Sequence, residues 1–400
     1  MSSEANPLVR EVVGGELIPR GWKSVFLGDI CSKVTTGKLD ANAMKANGAF
    51  PFFTCAREVY RIDSYAFDGE ALLVSGNGAN VGYIHHYAGK FNAYQRTYVL
   101  LGFKVDVQFI RYFLEENLAS RISGEARYGN TPYITMDTLT QMSIDIPESP
   151  IEARRIATVL SDVDSLISSL ERLIAKKQAI KQGMMQELLT GKTRLLGCVE
   201  PWKDSSLNDL ARVAGGGTPP TNNSSYWGGE IQWFTPAEIL AGGSGEVYRS
   251  NRTISREGLA ASGAHLHPTG TVLVTSRASI GLCAVAGTPV ATNQGFTSLV
   301  PYASESTWFL YYWIQYNRDE LVSRAAGSTF LEISARRVAL IPISSPSLRE
   351  QAAIGSSLRD LDDELNGLIA RLHKTLQIKQ GMMQELLTGR TRLTPSEVAA

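Results

Sequence analysis

The stretch KQGMMQELLTGKTRL, Lys181–Leu195, returns 198 residues later as KQGMMQELLTGRTRL, Lys379–Leu393. A repeat of this fidelity constrains the chain more than any local motif, because the fold must offer the same surroundings twice. The similarity extends backwards through IATVLSDVDSLISSLERLIAKKQAIKQ and IGSSLRDLDDELNGLIARLHKTLQIKQ. In the first copy Ile156, Leu160, Val163, Ile167, Leu170 and Ile174 recur at alternating steps of four and three; in the second Ile354, Leu358, Leu361, Leu365, Leu368 and Leu372 do the same. This spacing predicts two long helices with a heptad seam. One seam alone suits a stripe packed on a globular core equally well, but two matching seams in one chain favour mutual pairing. Lys177 and Lys181 interrupt the first seam, with Thr375 and Lys379 in the matching places, before Met184 and Leu188, or Met382 and Leu386, resume it. Pro150 and Pro346 mark the helix starts, and Gly191 and Gly389 are the expected C-terminal stops. About 35 helical residues would span roughly 50 Å, a spacer of fixed length.

Gly191-Lys192-Thr193 taken alone resembles the end of a phosphate-binding loop. Such a loop needs an upstream glycine and must lead from a strand into a helix. Here Gln186 stands at the glycine position, the stretch ends a helix, and the second copy replaces Lys192 by Arg390. Other enzyme readings also lack parts. Thr218-Pro219-Pro220-Thr221 has neither the polar acceptor nor the aromatic stacker of an adenine methyltransferase loop. Gly76, Gly78 and Gly82 follow a strand candidate, yet VGYIHHY alternates like another strand where a dinucleotide fold requires a helix. His85-His86 and His265-x-His267 have no companions at ligand spacing, and Cys31, Cys55, Cys198 and Cys283 are scattered, so no metal site is expected.

A length of 400 residues favours two or three domains. No apolar run approaches the roughly 18 residues of a membrane span, and the amino terminus lacks the layout of a signal peptide, so a cytoplasmic chain without membrane association is expected. The net charge of zero argues against a uniformly basic nucleic-acid binder but leaves room for a basic face offset elsewhere.

Before each predicted helix lies a unit of about 150 residues, and the two units share landmarks. Each opens with Trp-Lys and a Leu-x-Asp-Ile/Leu run, GWKSVFLGDI and PWKDSSLNDL. Each carries a strand candidate ending in a polar loop, ALLVSGNGANVG and TVLVTSRASIG, then a second after Tyr94-Gln95 or Asn293-Gln294. Each closes with one amphipathic helix, VQFIRYFLEENLASRI or TWFLYYWIQYNRDELVSRA, and a glycine-containing loop. The predicted segments are 1–150, 151–200, 201–346 and 347–400. The shared frame with divergent loops points to one fold reading two targets.

These residues resemble the DNA-specificity (S) subunit of type I restriction-modification enzymes. The resemblance rests on the repeated KQGMMQELLTG[KR]TRL, on SP-x-LREQAAI at Ser345–Ile354, and on GGGTPPTNNSSYWGGEIQW, TVLVTSRASIG and NQGF in the second unit. TTGKLDANAM, ALLVSGNGANVG and KFNAYQRTYVL in the first unit look like another sequence class of the same domain. Ala153, where the second copy has Gln351, weakens the match of the first lead-in. The resemblance implies an α+β architecture: two α/β target-recognition domains separated by two long helices that pair as an antiparallel coiled coil, with an internal pseudo-two-fold repeat. It implies a non-catalytic subunit that binds double-stranded DNA at a bipartite site. Its partners would be two methyltransferase subunits and, in the full complex, two restriction/translocase subunits. No cofactor is expected in this chain; S-adenosylmethionine, ATP and magnesium belong to those partners. The competing reading is a coiled-coil scaffold whose globular units bind proteins.

Sequence readout requires side chains that match base edges: Arg to guanine, Asn or Gln to adenine, hydroxyls elsewhere. The inter-strand loops supply Lys38, Asn77, Asn80, Gln95, Arg96, Arg127, Tyr128 and Asn130 in the first unit. The second supplies Thr218, Tyr226, Arg277, Ser279, Asn293, Gln294, Ser328 and Thr329. Asn and Gly also mark ordinary turns. Between Pro201 and Pro346 nine Arg stand against the single Lys203, a bias towards bidentate recognition of guanine or phosphate.

Overall fold

A computed structural model describes residues 10–13, 16–125, 133–239, 245–277, 279–326 and 331–394. The chain divides into two compact units, residues 1–169 with 372–400, and residues 170–371. The predicted segments are consecutive in sequence, whereas these units are not. The reason lies in the two long helices, Pro150–Leu188 and Leu348–Leu386. Each is 39 residues long, somewhat more than the seam predicts, and each begins in one unit and ends in the other. Among the described residues no helix is long and apolar enough to cross a membrane.

The first unit is built from β1 (Arg10–Val13), β2 (Glu16–Pro19), β3 (Trp22–Phe26), β4 (Cys31–Thr36), β5 (Phe50–Phe53), β6 (Tyr60–Ile62), β7 (Phe67–Ser75), β8 (Ile84–Ala93), β9 (Thr97–Phe103) and β10 (Ser143–Pro147). Its main sheet has the order β4-β9-β7-β8-β5-β6, antiparallel except for the β5–β8 pair. Strand β7 explains the layering. Ala71 to Val74 are fully buried, and their alternation sends Leu72 and Val74 into the core beneath helix Val107–Glu125, Ala71 and Leu73 into a second core with Phe53 and Phe91. A strand covered on both faces reads as a continuous apolar run.

The second unit contains β11 (Lys203–Ser206), β12 (Ala211–Gly215), β13 (Trp227–Phe234), β14 (Glu246–Val247), β15 (Arg252–Ile254), β16 (Val272–Val274), β17 (Cys283–Ala286), β18 (Val290–Thr292), β19 (Thr297–Pro301) and β20 (Pro342–Ser345). Two sheets, β12-β19-β16-β17-β14 and β15-β13-β18, replace the single sheet of the first unit. Pro289 stands where the long β8 of the first unit runs unbroken, and proline cannot donate to a ladder. The shared strands keep their pairings, β13 lying parallel with β18 as β5 does with β8, while β14, parallel with β17, has no counterpart in the first sheet. TWFLYYWIQYNRDELVSRA is not one helix but two, Thr307–Tyr316 and Arg318–Ser323. Asn317 leaves helical geometry at φ −100°, ψ 27°. Arg318 Nε then donates to Ile280 O at 2.9 Å, tying the second helix to the loop after β16.

The long helices serve both purposes between which the seam spacing leaves a choice. Ile156 and Leu160 lie in the first unit's core with Met383, Leu386 and Leu387 from the end of the second helix. Ile354 and Leu358 lie in the second unit's core with Met185, Leu188 and Leu189 from the end of the first. Further along, Ile167, Leu170, Ile174, Leu361 and Leu365 are buried, while Val163, Leu368 and Leu372 are half-buried. The pairing is antiparallel: in the second unit Lys177 meets Glu364 at 2.7 Å and Lys181 meets Asp362 at 2.6 Å.

Why the helix end occurs twice is now evident. Gly191 (φ +70°) and Gly389 (φ +65°) close the helices in the left-handed region, against the indoles of Trp202 and Trp22. The chain then folds back. Arg194 grips Glu350 with nitrogen–oxygen distances of 2.7 and 2.6 Å, and Arg392 grips Glu152 at 2.7 and 2.8 Å. Each guanidinium also lies 5.9 Å from the centroid of that tryptophan. Thr193 and Thr391 N–H donate to Glu187 O and Glu385 O, each at 3.2 Å, so the glycine and the threonine of G[KR]TRL complete a helix end and the arginine locks it to the start of the other long helix. A phosphate loop would need the helix to begin there.

Candidate nucleic-acid interface

In the first unit four backbone segments meet at one end of the sheet. Gln95 N–H donates to Leu39 O at 2.9 Å, Tyr94 N–H to Phe53 O at 2.9 Å, and Gly76 N–H to Arg96 O at 2.8 Å. Asn80 Nδ2 donates to Cys55 O at 3.0 Å, and Cys55 Sγ donates to Arg96 O at 3.4 Å. A fifth segment joins through Ile134, whose N–H donates to Gly76 O at 2.9 Å and whose carbonyl accepts from Tyr98 OH at 2.9 Å. Burial holds the Tyr98 phenol above its usual range, with Arg96 opposing the shift. Gly37 permits the approach: a Cβ there would collide with the carbonyls of Ala93 and Tyr94.

The second unit repeats this junction with other side chains. Asn293 N–H donates to Phe234 O at 3.0 Å, Ser276 N–H to Gly295 O at 2.8 Å, Gly217 N–H to Thr292 O at 2.9 Å and Ile333 N–H to Ser276 O at 3.1 Å. Gly216 lies against the carbonyls of Thr292 and Asn293, where a Cβ would not fit. The Thr218 hydroxyl donates to Gln294 Oε1, joining two loops directly.

These junctions gather the sequence-predicted residues within each unit. Lys38, Gln95 and Arg96 are exposed at the first, with Asn77 and Asn80 half-buried; Arg277, Ser279 and Gln294 are exposed at the second, with Thr218 and Asn293 half-buried. Tyr226 lies apart, before β13, where its carbonyl accepts from Ser255 N–H at 2.9 Å. Several are partly engaged by the protein itself. Asn80 spends its amide on Cys55, Asn293 Oδ1 accepts from Gly295 N–H at 2.8 Å, Gln95 Nε2 lies 3.4 Å from Asp40, and Arg277 pairs with Glu332 at 2.9 Å. Arg127, Tyr128, Asn130, Ser328 and Thr329 lie outside the described residues. Amides, hydroxyls and guanidinium groups on loops anchored by their own backbones form a surface suited to reading base edges.

Sequence reasoning passed over two arginines beside these junctions. Arg57, exposed in the β5–β6 connection, has its guanidinium 5.3 Å from the Tyr83 ring centroid. Arg252, exposed at the end of the topologically equivalent β13–β15 connection, lies 3.6 Å from that of Trp227. Neither stands in a recognisable motif, since the aromatic partners are remote in sequence.

Comparison with known proteins agrees with this organisation. The type I restriction modification DNA specificity domain matches twice, over residues 19–182 and 199–378. The type I restriction enzyme EcoDI specificity subunit of Escherichia coli is 31% identical over 398 residues, covering 90% of this chain and 87% of that subunit. The type I restriction enzyme MjaVIII specificity subunit of Methanocaldococcus jannaschii is 23% identical, with 95% of each chain covered. Among solved structures, the S subunit of the type I restriction-modification system from M. genitalium superposes with a TM-score of 0.64 at 17% identity, covering 91% of this chain and 96% of that one, and so shares its fold. With two matched domains, one in each half of an internally repeated chain, this protein belongs to the family of type I restriction-modification DNA specificity subunits.

Proposed function

We propose that the chain selects the DNA target of a type I restriction-modification complex, each unit reading one half of a bipartite site. The observation that carries this reading is the repeated loop junction, alike in backbone design and different in side chains: Lys38, Gln95 and Arg96 in one unit, Thr218, Arg277 and Gln294 in the other. Two copies of one frame with different polar edges suit two different half-sites. The chain supplies recognition and the partners supply chemistry. Those partners are two DNA-adenine methyltransferase subunits, which would bind S-adenosylmethionine, and two restriction/translocase subunits, which would use ATP and magnesium, all in the cytoplasm. Co-expression with the methyltransferase subunits, followed by genome-wide mapping of methylated adenines with and without this chain, tests the reading. A split motif that appears only when the chain is present is the expected result. Loss of all sequence preference with the complex still intact would favour a protein-binding scaffold.

A further inference from the structure

We infer that Arg252 grips a phosphate of the DNA backbone beside the half-site read by the second unit; the inference rests on the DNA-recognition reading above. The guanidinium lies 3.6 Å from the Trp227 centroid and 5.7 Å from that of Trp233, and the two indoles meet edge to face at 5.1 Å. Both rings are tied to the loop that carries Thr218: Trp227 Nε1 donates to Pro220 O at 3.3 Å, and Trp233 Nε1 to Gly217 O at 2.9 Å. Thr218 in turn bonds Gln294. Arg252 is therefore fixed to the loop junction through two aromatic walls. Its side chain nevertheless makes no ion pair among the described residues, although Arg256, Arg277 and Arg359 of the same unit each face a carboxylate, at 2.8, 2.9 and 3.1 Å.

A guanidinium stacked on an indole has one face covered and its N–H fork directed outward in the ring plane, the geometry of a bidentate phosphate contact. With its guanidinium carbon 3.6 Å from the Trp227 centroid, the side chain is held against its own unit, where a backbone phosphate comes to the protein surface more readily than a base edge deep in a groove. The first unit repeats the device in the equivalent connection, with Arg57 over Tyr83 and likewise no ion pair among the described residues.

The test uses the full chain assembled with methyltransferase subunits, and measures binding to a duplex carrying the mapped site and to an unrelated duplex across a salt series. Arg252→Ala is expected to weaken both by the same factor, on the order of tenfold, and to reduce the slope of log affinity against log salt by about one. Arg252→Gln, which keeps the bulk over the indole, is expected to match it. Arg256→Ala, removing a cation already paired to Glu230, is expected to leave binding unchanged. Unaltered affinity in both Arg252 variants would overturn the inference. So would a loss confined to the mapped duplex with changed half-site letters, which would make Arg252 a base reader. If the unsubstituted complex fails to prefer the mapped duplex, the DNA-recognition reading itself falls.

Discussion

Lys379 places its ammonium 2.6 Å from Asp164, and the pseudo-symmetric Lys181 stands at the same 2.6 Å from Asp362. In each case a tyrosine joins the pair: Tyr112 OH donates to Asp164 Oδ2 at 2.7 Å, which Arg111 also approaches at 3.2 Å, and Tyr312 OH donates to Asp362 Oδ2 at 2.8 Å. Each ammonium also lies over that ring, 5.2 Å and 5.4 Å from its centroid. The lysines that break the apolar seam are thus the contacts that fix its register, since a shift of either helix would strand a charge. Burial and the carboxylate together raise both phenols, so the tyrosines stay protonated donors throughout the working pH range.

Asp164→Ala should accordingly leave Lys379 without its nearest anion and Tyr112 without an acceptor. With Lys379 and Asp164 19% and 28% exposed, the loss should fall below that of a fully buried pair, about 1–3 kcal/mol. Denaturant unfolding should show a lower midpoint. Lys379→Met in the same chain should recover part of it, because an apolar side chain suits the seam. A double variant no better than the single would mean that the pair does not hold the register.

The arginine of the repeat has a sharper role. Glu152 is fully buried; both its oxygens accept from Arg392, and Oε1 also accepts a longer bond from Leu393 N–H at 3.3 Å. Removing Arg392, by Arg392→Ala or by ending the chain at Thr391, should strand that carboxylate at a cost of about 2–4 kcal/mol. The double variant Glu152→Gln with Arg392→Ala should be milder than Arg392→Ala alone. Thermal unfolding of the three variants decides the matter, and equal melting temperatures for single and double variants would contradict it.

Acid sensitivity should come in part from His267. It is fully buried, neither ring nitrogen has a hydrogen-bond partner among the described residues, and burial, aided by Arg212 and His265, lowers its pKa from 6.5 to about 4. The folded form therefore resists a proton that the unfolded chain accepts. Its stabilising contribution is complete above pH 6.5 and is lost as the pH falls towards 4, by about 3 kcal/mol in all. His267→Leu should flatten the fall in unfolding free energy between pH 6.5 and 5. Parallel pH profiles for the two proteins would show that the imidazole is not the group responsible.

Much of this was legible in the sequence, for reasons that differ by element. The long helices announce themselves because an apolar period runs from Ile156 to Ile174 and resumes at Met184 and Leu188, with the same pattern in the second copy, and β7 because ALLV is apolar on both faces. The Arg392–Glu152 clamp was not legible: the repeat marks Arg392 as a recurring residue, but its partner lies 240 residues away and nothing in the sequence couples the two. The break at Asn317 escaped for a different reason: the first unit carries Asn117 in a helix that continues, and both side chains donate to the carbonyl four residues back, at 2.9 Å. The two helices part company at the next residue, where Arg318 bonds Ile280 O, a tertiary contact that overrides local preference. The loop residues were identifiable by type, but their commitments to neighbouring backbone, such as Asn80 to Cys55, required coordinates.

Recognition units should be exchangeable between relatives. The ends of segment 201–346 are neighbours in space, because β11 and β20 pair antiparallel with Lys203 opposite Ser345 and Ser206 opposite Pro342. A foreign unit can therefore enter through one two-stranded junction while both long helices keep their sequence. What the graft must preserve is the core it shares with them: Trp202 under Arg194 and against Phe309, and Tyr312 on Asp362. A relative's unit that retains tryptophan and tyrosine at those two places should fold on the existing helices. Methylation mapping should then show one half-site replaced and the other unchanged, since Lys38, Gln95 and Arg96 remain in the untouched unit. Alteration of both half-sites in a stable chimera would show that the two units do not read independently. A graft lacking the tryptophan is expected to assemble poorly even with its reading loops intact, which separates loss of docking from loss of recognition.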